Sequence, residues 1–107
     1  MAKSKGSDEM DTVINFNDDI FKEYPGRFNL YFKAPCLILR VMMLIDKGWN
    51  IKAVYSGDTL DIYDWVRVYV TSPPERGSTK YLYMLENGVA KSEHDMMLFL
   101  DAIEENK

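Results

Sequence analysis

From Cys36 to Ile45 every residue except Arg40 is apolar, and this run sets the frame for the rest of the chain. Pro35 suits the first turn of a helix, where its missing N–H has no intrahelical partner and its φ is already helical. Gly48 is a natural left-handed stop. The pattern therefore predicts a helix in which Leu37, Val41 and Leu44 form one stripe, Ile38, Met42 and Ile45 a second, and Leu39 with Met43 widens the apolar surface almost all round. Such a helix needs cover on most sides. It is too short for a bilayer span, which takes about 20 apolar residues, so it reads as a core helix or a subunit contact, and a homodimer through it is expected.

Period-two alternation dominates elsewhere. Arg27 to Lys33 places Phe28, Leu30 and Phe32 on one side and Arg27, Asn29, Tyr31 and Lys33 on the other, which predicts a half-buried strand. Trp49 to Ser56 predicts a second, with Ile51, Ala53 and Tyr55 inward. Ser56-Gly57-Asp58 is turn chemistry, so the next strand returns antiparallel. That strand runs from Leu60 to Thr71, with Leu60, Ile62, Val66, Val68 and Val70 on one side, Tyr63, Trp65, Arg67 and Tyr69 on the other, and a bulge or late start near Asp64.

The two prolines and polar residues of Ser72 to Ser78 predict a mobile hairpin loop. Lys80 to Leu85 is the following strand, Glu86-Asn87-Gly88 a turn and Val89 to Lys91 a short extension. Ser92 with Asp95 resembles a capping box before a final helix with Met96, Phe99, Leu100 and Ile103 on its core stripe. Thr12 to Phe16 reads as a short strand, and Asn17 or Asp18 as the cap of a short helix ended by Pro25-Gly26. The expected core comprises Leu37, Val41, Leu44, Val66, Val68, Phe99 and Ile103. Residues 1–11 are polar and aperiodic and are expected to be a disordered tail.

The expectation is a single α+β domain over residues 12–107. An antiparallel sheet of three to five strands carries helices mainly on one face, in the order α-β-β-β-α from residue 35. That order is similar to the topology of double-stranded RNA-binding domains. Those domains open their last helix with a basic cluster, where this chain has Ser92-Glu93-His94-Asp95. The resemblance thus implies an arrangement of elements, not duplex RNA binding.

The chain has 107 residues, 47% of them hydrophobic, enough for one core without disulfides or metal. Cys36 is the only cysteine, which excludes an internal disulfide, and no apolar h-region follows Met1 to Ser7, so a cytoplasmic location is expected. The net charge of −4 is unevenly spread: Arg27 to Lys91 holds nine basic and six acidic residues, while both flanks are acidic.

Charge and aromatics together nominate a site. With Ile51, Val66 and Val68 toward the helices, Tyr31, Lys52, Tyr63, Trp65, Arg67 and Tyr69 share the opposite sheet face, with Arg27 and Lys33 beside them and Tyr81 and Tyr83 as candidates to join. Exposed Tyr, Trp and Arg are the types enriched at binding hot spots, because they bury a large area around a polar tip. The same mixture can stack bases and hold phosphates. A second candidate surface is the acidic end of the last helix, at Asp101, Glu104 and Glu105, which suits a basic protein surface such as the nucleic-acid channel of an enzyme.

Chemistry of other kinds finds little footing. Cys36 at a helix start has a helix dipole to favour a thiolate, yet burial as a small apolar side chain is the simpler expectation. His94 reads as a solvated residue at a helix start. Asp58, Asp61 and Asp64 do not converge, and one His and one Cys exclude ordinary zinc sites. No glycine-rich phosphate loop occurs. A non-enzymatic chain without metal or cofactor is expected, one that binds and inhibits or regulates a protein partner. Phage-encoded host-takeover and anti-defence inhibitors and toxin-immunity proteins are similar in size and composition. A nucleic-acid-binding module using the basic aromatic face is the alternative.

Overall fold

The computed structural model describes residues 12–56, 65–86 and 93–105. In chain order these form β1 (Thr12–Asn15), α1 (Asp19–Glu23), a 3-10 segment (Pro25–Leu30), α2 (Pro35–Asp46), β2 (Asn50–Ser56), β3 (Trp65–Thr71), a 3-10 turn (Pro74–Arg76), β4 (Lys80–Glu86) and α3 (Glu93–Glu105). The four strands make one antiparallel sheet in the order β1-β2-β3-β4. The α+β expectation holds. The tail at residues 1–11, the 57–64 connection, the turn and extension at 87–92 and the Ser92 cap lie outside the described residues.

The centre of the fold follows the hydrophobic pattern closely. Leu37, Val41 and Leu44 of α2 are buried against Ile51, Ala53 and Tyr55 of β2 and Val66, Val68 and Val70 of β3. The end of α2 is fixed by its backbone. Gly48, at φ 100°, lets its own N–H reach Ile45 O at 3.0 Å and the Trp49 N–H reach Leu44 O at 3.0 Å, a Schellman arrangement that turns the chain into β2. A Cβ on Gly48 would also touch Pro73 at 3.4 Å.

Three antiparallel strands between two helices leave those helices running parallel on one face, and the contacts agree. The Lys33 N–H donates to Glu93 Oε2 at 2.6 Å at one end of the pair, and Arg40 and Lys47 meet Asp101 and Glu104 further along. On α3, Met96, Leu100 and Ile103 are buried. Phe99, expected in the core, is only partly buried and packs on the Tyr83 ring with centroids 4.9 Å apart.

Arg27 to Lys33 is not a strand. Pro25 opens a 3-10 segment, where its fixed φ and missing donor cost nothing, and Phe32 N–H then bonds Phe28 O at 2.8 Å. In this coil Phe28 and Phe32 point together into the core while Leu30 stays 64% exposed. The two phenylalanines join Phe16 and Phe21 in an aromatic cluster with centroid separations of 4.8 to 5.7 Å. The cluster seals the β1 end of the core that α2 and α3 leave open.

Two polar side chains complete this frame. Asn17 does not cap α1. Its amide instead donates to Trp49 O at 2.9 Å and accepts from the Ile51 N–H at 2.8 Å, satisfying backbone groups at the start of β2. At the far hairpin, Ser72 is buried, its Oγ accepts the Thr79 N–H at 2.8 Å, and Arg76 lies 5.2 Å over the Trp49 ring. The 72–78 loop is thus tied to the core.

Candidate functional site

Alternation divides the sheet into two unlike faces. The inner one carries Ile51, Ala53, Tyr55, Val66, Val68, Val70 and Leu85, all buried beneath the helices. On the outer one the register aligns Asn15 with Lys52 and Lys52 with Tyr69, and Val54 with both Val13 and Arg67. Beyond them Tyr69 pairs with Leu82 and Arg67 with Met84. No described helix covers this side. Leu82 is 50% and Met84 47% exposed, and Val13 is exposed as well.

Electrostatics gives the face a sign. Among the described residues its basic positions, Lys52, Arg67 and Lys80, outnumber the one acidic position that the register places on it, Glu86 opposite Trp65. Lys52 Nζ sits 5.6 Å over the Tyr69 ring, so a cation and an aromatic form one unit beside a shallow depression of about 280 Å3 bounded by Asn15, Asn50, Lys52, Tyr69 and Thr71. Arg67 is half-buried between these residues and Met84. Apolar surface beside Arg, Lys and Tyr is a residue mixture enriched at binding hot spots.

The structure brings Lys52, Arg67 and Tyr69 together as expected and separates the others. Trp65 opens β3, in register with Ser56 and Glu86. Tyr63 lies outside the described residues. Tyr31 is not on the outer face. It ends the 3-10 segment and is half-buried, 5.7 Å from the Phe16 ring and 5.8 Å from Tyr55 on the inner side. Arg27 and Lys33 go with it, because the strand that would have carried them does not form. Tyr81 and Tyr83 occupy inner-face positions of β4: Tyr81 stacks on Trp49 at 6.4 Å and Tyr83 on Phe99. Burial pushes the Tyr83 phenol above its ordinary pKa, with Asp95 adding to the effect.

The acidic end of α3 is committed to α2. Arg40 Nη1 donates to Glu104 Oε1 at 2.7 Å, Arg40 Nε lies 2.9 Å from Asp101 Oδ1 outside good hydrogen-bond geometry, and Lys47 pairs with the second Glu104 oxygen. The bond from Lys47 holds the Glu104 carboxyl below the ordinary carboxylate range, against the opposing effect of its own burial. Of the three carboxylates expected to share a surface, Glu105 is exposed, Asp101 is partly exposed and Glu104 is largely covered.

Glu93 was not foreseen as a structural residue. It is buried at the start of α3, where the helix dipole favours a carboxylate and the Lys33 N–H supplies a hydrogen bond. The only sequence hint was an acidic residue in the first turn of an amphipathic helix, which more often is solvated.

Cys36, expected to be buried, is exposed. It shares the outward side of α2 with Leu39 and Met43, positions three and seven residues on, so the helix presents an apolar stripe to solvent on the side that the sheet and α3 leave uncovered. Leu39 and Met43 line an open groove of about 420 Å3 with Phe21, Phe28 and Met42, whose polar lining is Asn17, Asp18, Lys22 and Asp46. His94 is exposed on α3. Among the described residues no three His, Cys, Asp or Glu side chains gather as a metal site would require, and no helix is long and apolar enough to cross a membrane. No family model, curated protein or solved structure matches the chain.

Proposed function

We propose that this chain is a small, non-enzymatic cytoplasmic interaction protein that binds a protein partner through its uncovered sheet face and thereby inhibits or regulates it, as phage-encoded host-takeover and anti-defence inhibitors and immunity proteins do. One observation carries the reading: Val13, Leu82 and Met84 are left exposed on a regular, well-paired sheet around the group Lys52, Arg67 and Tyr69. A rigid scaffold lowers the ordering cost of association, and aromatic and Arg anchors beside apolar surface supply the affinity. The basic excess of the face favours a partner with an acidic rim, where a contact through the acidic end of α3 would instead take a basic channel.

Affinity capture from nuclease-treated lysate of the source organism tests this. A partner should be retained by the natural chain and by the helix-layer control Leu98→Ala, and lost with the pair Arg67→Ala and Tyr69→Ala. Retention that ignores this pair would refute the assignment. The second reading, nucleic-acid binding, is favoured by the Lys52–Tyr69 unit and the basic excess of the face. It predicts direct binding to single-stranded nucleic acid that weakens steeply with salt through counterion release.

A further inference from the structure

β4 lies at the sheet edge and pairs with β3 alone among the described residues. Its sequence, Lys-Tyr-Leu-Tyr-Met-Leu-Glu, carries charge only at its two ends. The devices that normally protect an edge, such as an interior charge, a proline or a bulge, are missing between Tyr81 and Leu85.

The hydrogen-bond phase shows what this edge offers. Ser72 N–H bonds Thr79 O at 2.9 Å and the Thr79 N–H turns to Ser72 Oγ at 2.8 Å, so the two residues direct their backbone groups toward each other at the mouth of the hairpin, in the phase of a hydrogen-bonded pair. Such pairs alternate along an antiparallel ladder. With the register Val70–Tyr81, Val68–Tyr83 and Val66–Leu85, the odd-numbered residues of β4 bond to β3. Lys80, Leu82, Met84 and Glu86 therefore direct their N–H and C=O groups away from the sheet.

We propose that β4 pairs with β4 of a second copy of this chain, antiparallel about a two-fold axis at Tyr83, joining the two sheets edge to edge. This register matches the outward groups without a slip. Lys80 exchanges backbone bonds with Glu86 of the second copy, and Leu82 with Met84. It also sets opposite charges against each other at both ends of the interface and apolar residues against each other between them. A one-residue slip loses the phase and exchanges the faces. Centring the pair on Leu82 or Met84 keeps the phase, but sets Lys80 against Met84 or Glu86 against Leu82. Charge and hydrogen bonding thus select the same register. The half-exposed Leu82 and Met84 of both copies then meet on the outer face, and two open faces become one continuous surface. Because the contact is made by the strand edge, it stands whether or not Arg67 and Tyr69 bind a partner.

Sedimentation equilibrium of the full chain tests the pairing. The natural sequence should dimerise reversibly. Lys80→Glu and Glu86→Lys should each weaken the dimer roughly tenfold or more, since both ends of the two-fold interface acquire like charges. The two changes together should restore it. Met84→Pro removes an outward N–H that β3 does not use, so it should abolish dimerisation while far-UV circular dichroism stays native. If that variant fails to fold, amide exchange on the natural chain gives a separate readout: the Leu82 and Met84 amides should exchange more slowly as concentration rises. A chain that stays monomeric at millimolar concentration overturns the proposal. So does a dimer indifferent to the charge changes, or one that the double reversal fails to restore. A dimer seated on the Leu39 and Met43 side of α2 would give the indifferent result.

Discussion

The inner and outer faces of the same strands both carry large apolar residues, and these end differently. On the inner side, Val66, Val68, Val70 and Leu85 reach full burial, because α2 and α3 lie parallel across them. On the outer side, Leu82 and Met84 keep about half their surface in water, and Val54 and Tyr69 are half-buried only by their neighbours. Removing apolar surface from water is worth about 25 cal/mol per Å2, so the outer residues leave part of that stabilisation unused. A face that is regular, paired and uncovered is suited to association. The inner face spends the same chemistry on holding the fold together.

The difference can be broken most severely at the aromatic cluster. Phe32→Ala should cost about 3 to 5 kcal/mol, as truncation of a fully buried phenylalanine does, whereas Leu30→Ala should change stability by less than about 0.5 kcal/mol. Urea unfolding of both variants checks this. Equal losses at the two positions would restore the strand that the alternation suggested. Next in size, Leu44→Ala should cost about 2 to 5 kcal/mol, because this side chain is fully buried in the core while its backbone carbonyl, which Ala keeps, still accepts the Schellman bond. Glu93→Ala should cost about 1.5 to 3 kcal/mol through the loss of a buried, charged acceptor for the Lys33 N–H, and Glu93→Gln should recover part of it.

The phenylalanines also show where sequence reading succeeds and where it fails. α2, β2 and β3 were legible because their signals are long and redundant: a proline start, a glycine stop, seven-residue alternation and a turn between strands. Phe28, Leu30 and Phe32 offered three apolar positions, which fit a strand by their spacing of two and fit a coil by the i, i+4 pair alone. Pro25 at the opening position favoured the coil, and tertiary contact with Phe16 and Phe21 settled it. Part of the site followed the same logic. Lys52, Arg67 and Tyr69 sit on strands whose parity was clear, while Tyr31 inherited the error in its segment. Tyr81 and Tyr83 depended on the β3–β4 register, which the 72–79 hairpin sets and local alternation does not contain. The fate of Asp101 and Glu104 needed the parallel placement of α2 and α3, a long-range fact that local pattern does not contain.

That helix layer, which makes the inner face dry, should carry its own pH signature. Glu104 is held below the ordinary carboxylate range first by the bond from Lys47 and then by the charges of Lys47, Arg40 and Arg76. A depressed native pKa means that the unfolded chain takes up the proton first as pH falls. The contribution is therefore complete above the ordinary glutamate pKa and fades as pH drops through the lower native value. Melting temperatures of the natural chain should decline across that acidic window more steeply than those of Glu104→Gln, whose difference from the natural chain should shrink toward low pH. Parallel curves would detach Glu104 from the α2–α3 seam.

The smallest effect on stability belongs to the outer face, and it is the sharpest test of the contrast. Tyr69→Thr and Leu82→Thr put a β-branched residue suited to a strand in place of outer-face aromatic or apolar area. Each should alter unfolding free energy by no more than about 0.5 kcal/mol, as ordinary surface substitutions do. The measurement belongs at low protein concentration, because any dimer adds a mass-action contribution to apparent stability. The mirror substitution Val68→Thr, at the centre of β3 on the buried side, puts an unmatched hydroxyl into the core and should cost about 1 to 3 kcal/mol. If Leu82→Thr were to approach the cost of Val68→Thr in dilute monomer, the outer face would be covered within the chain itself, and the case for a partner on that face would fall with it.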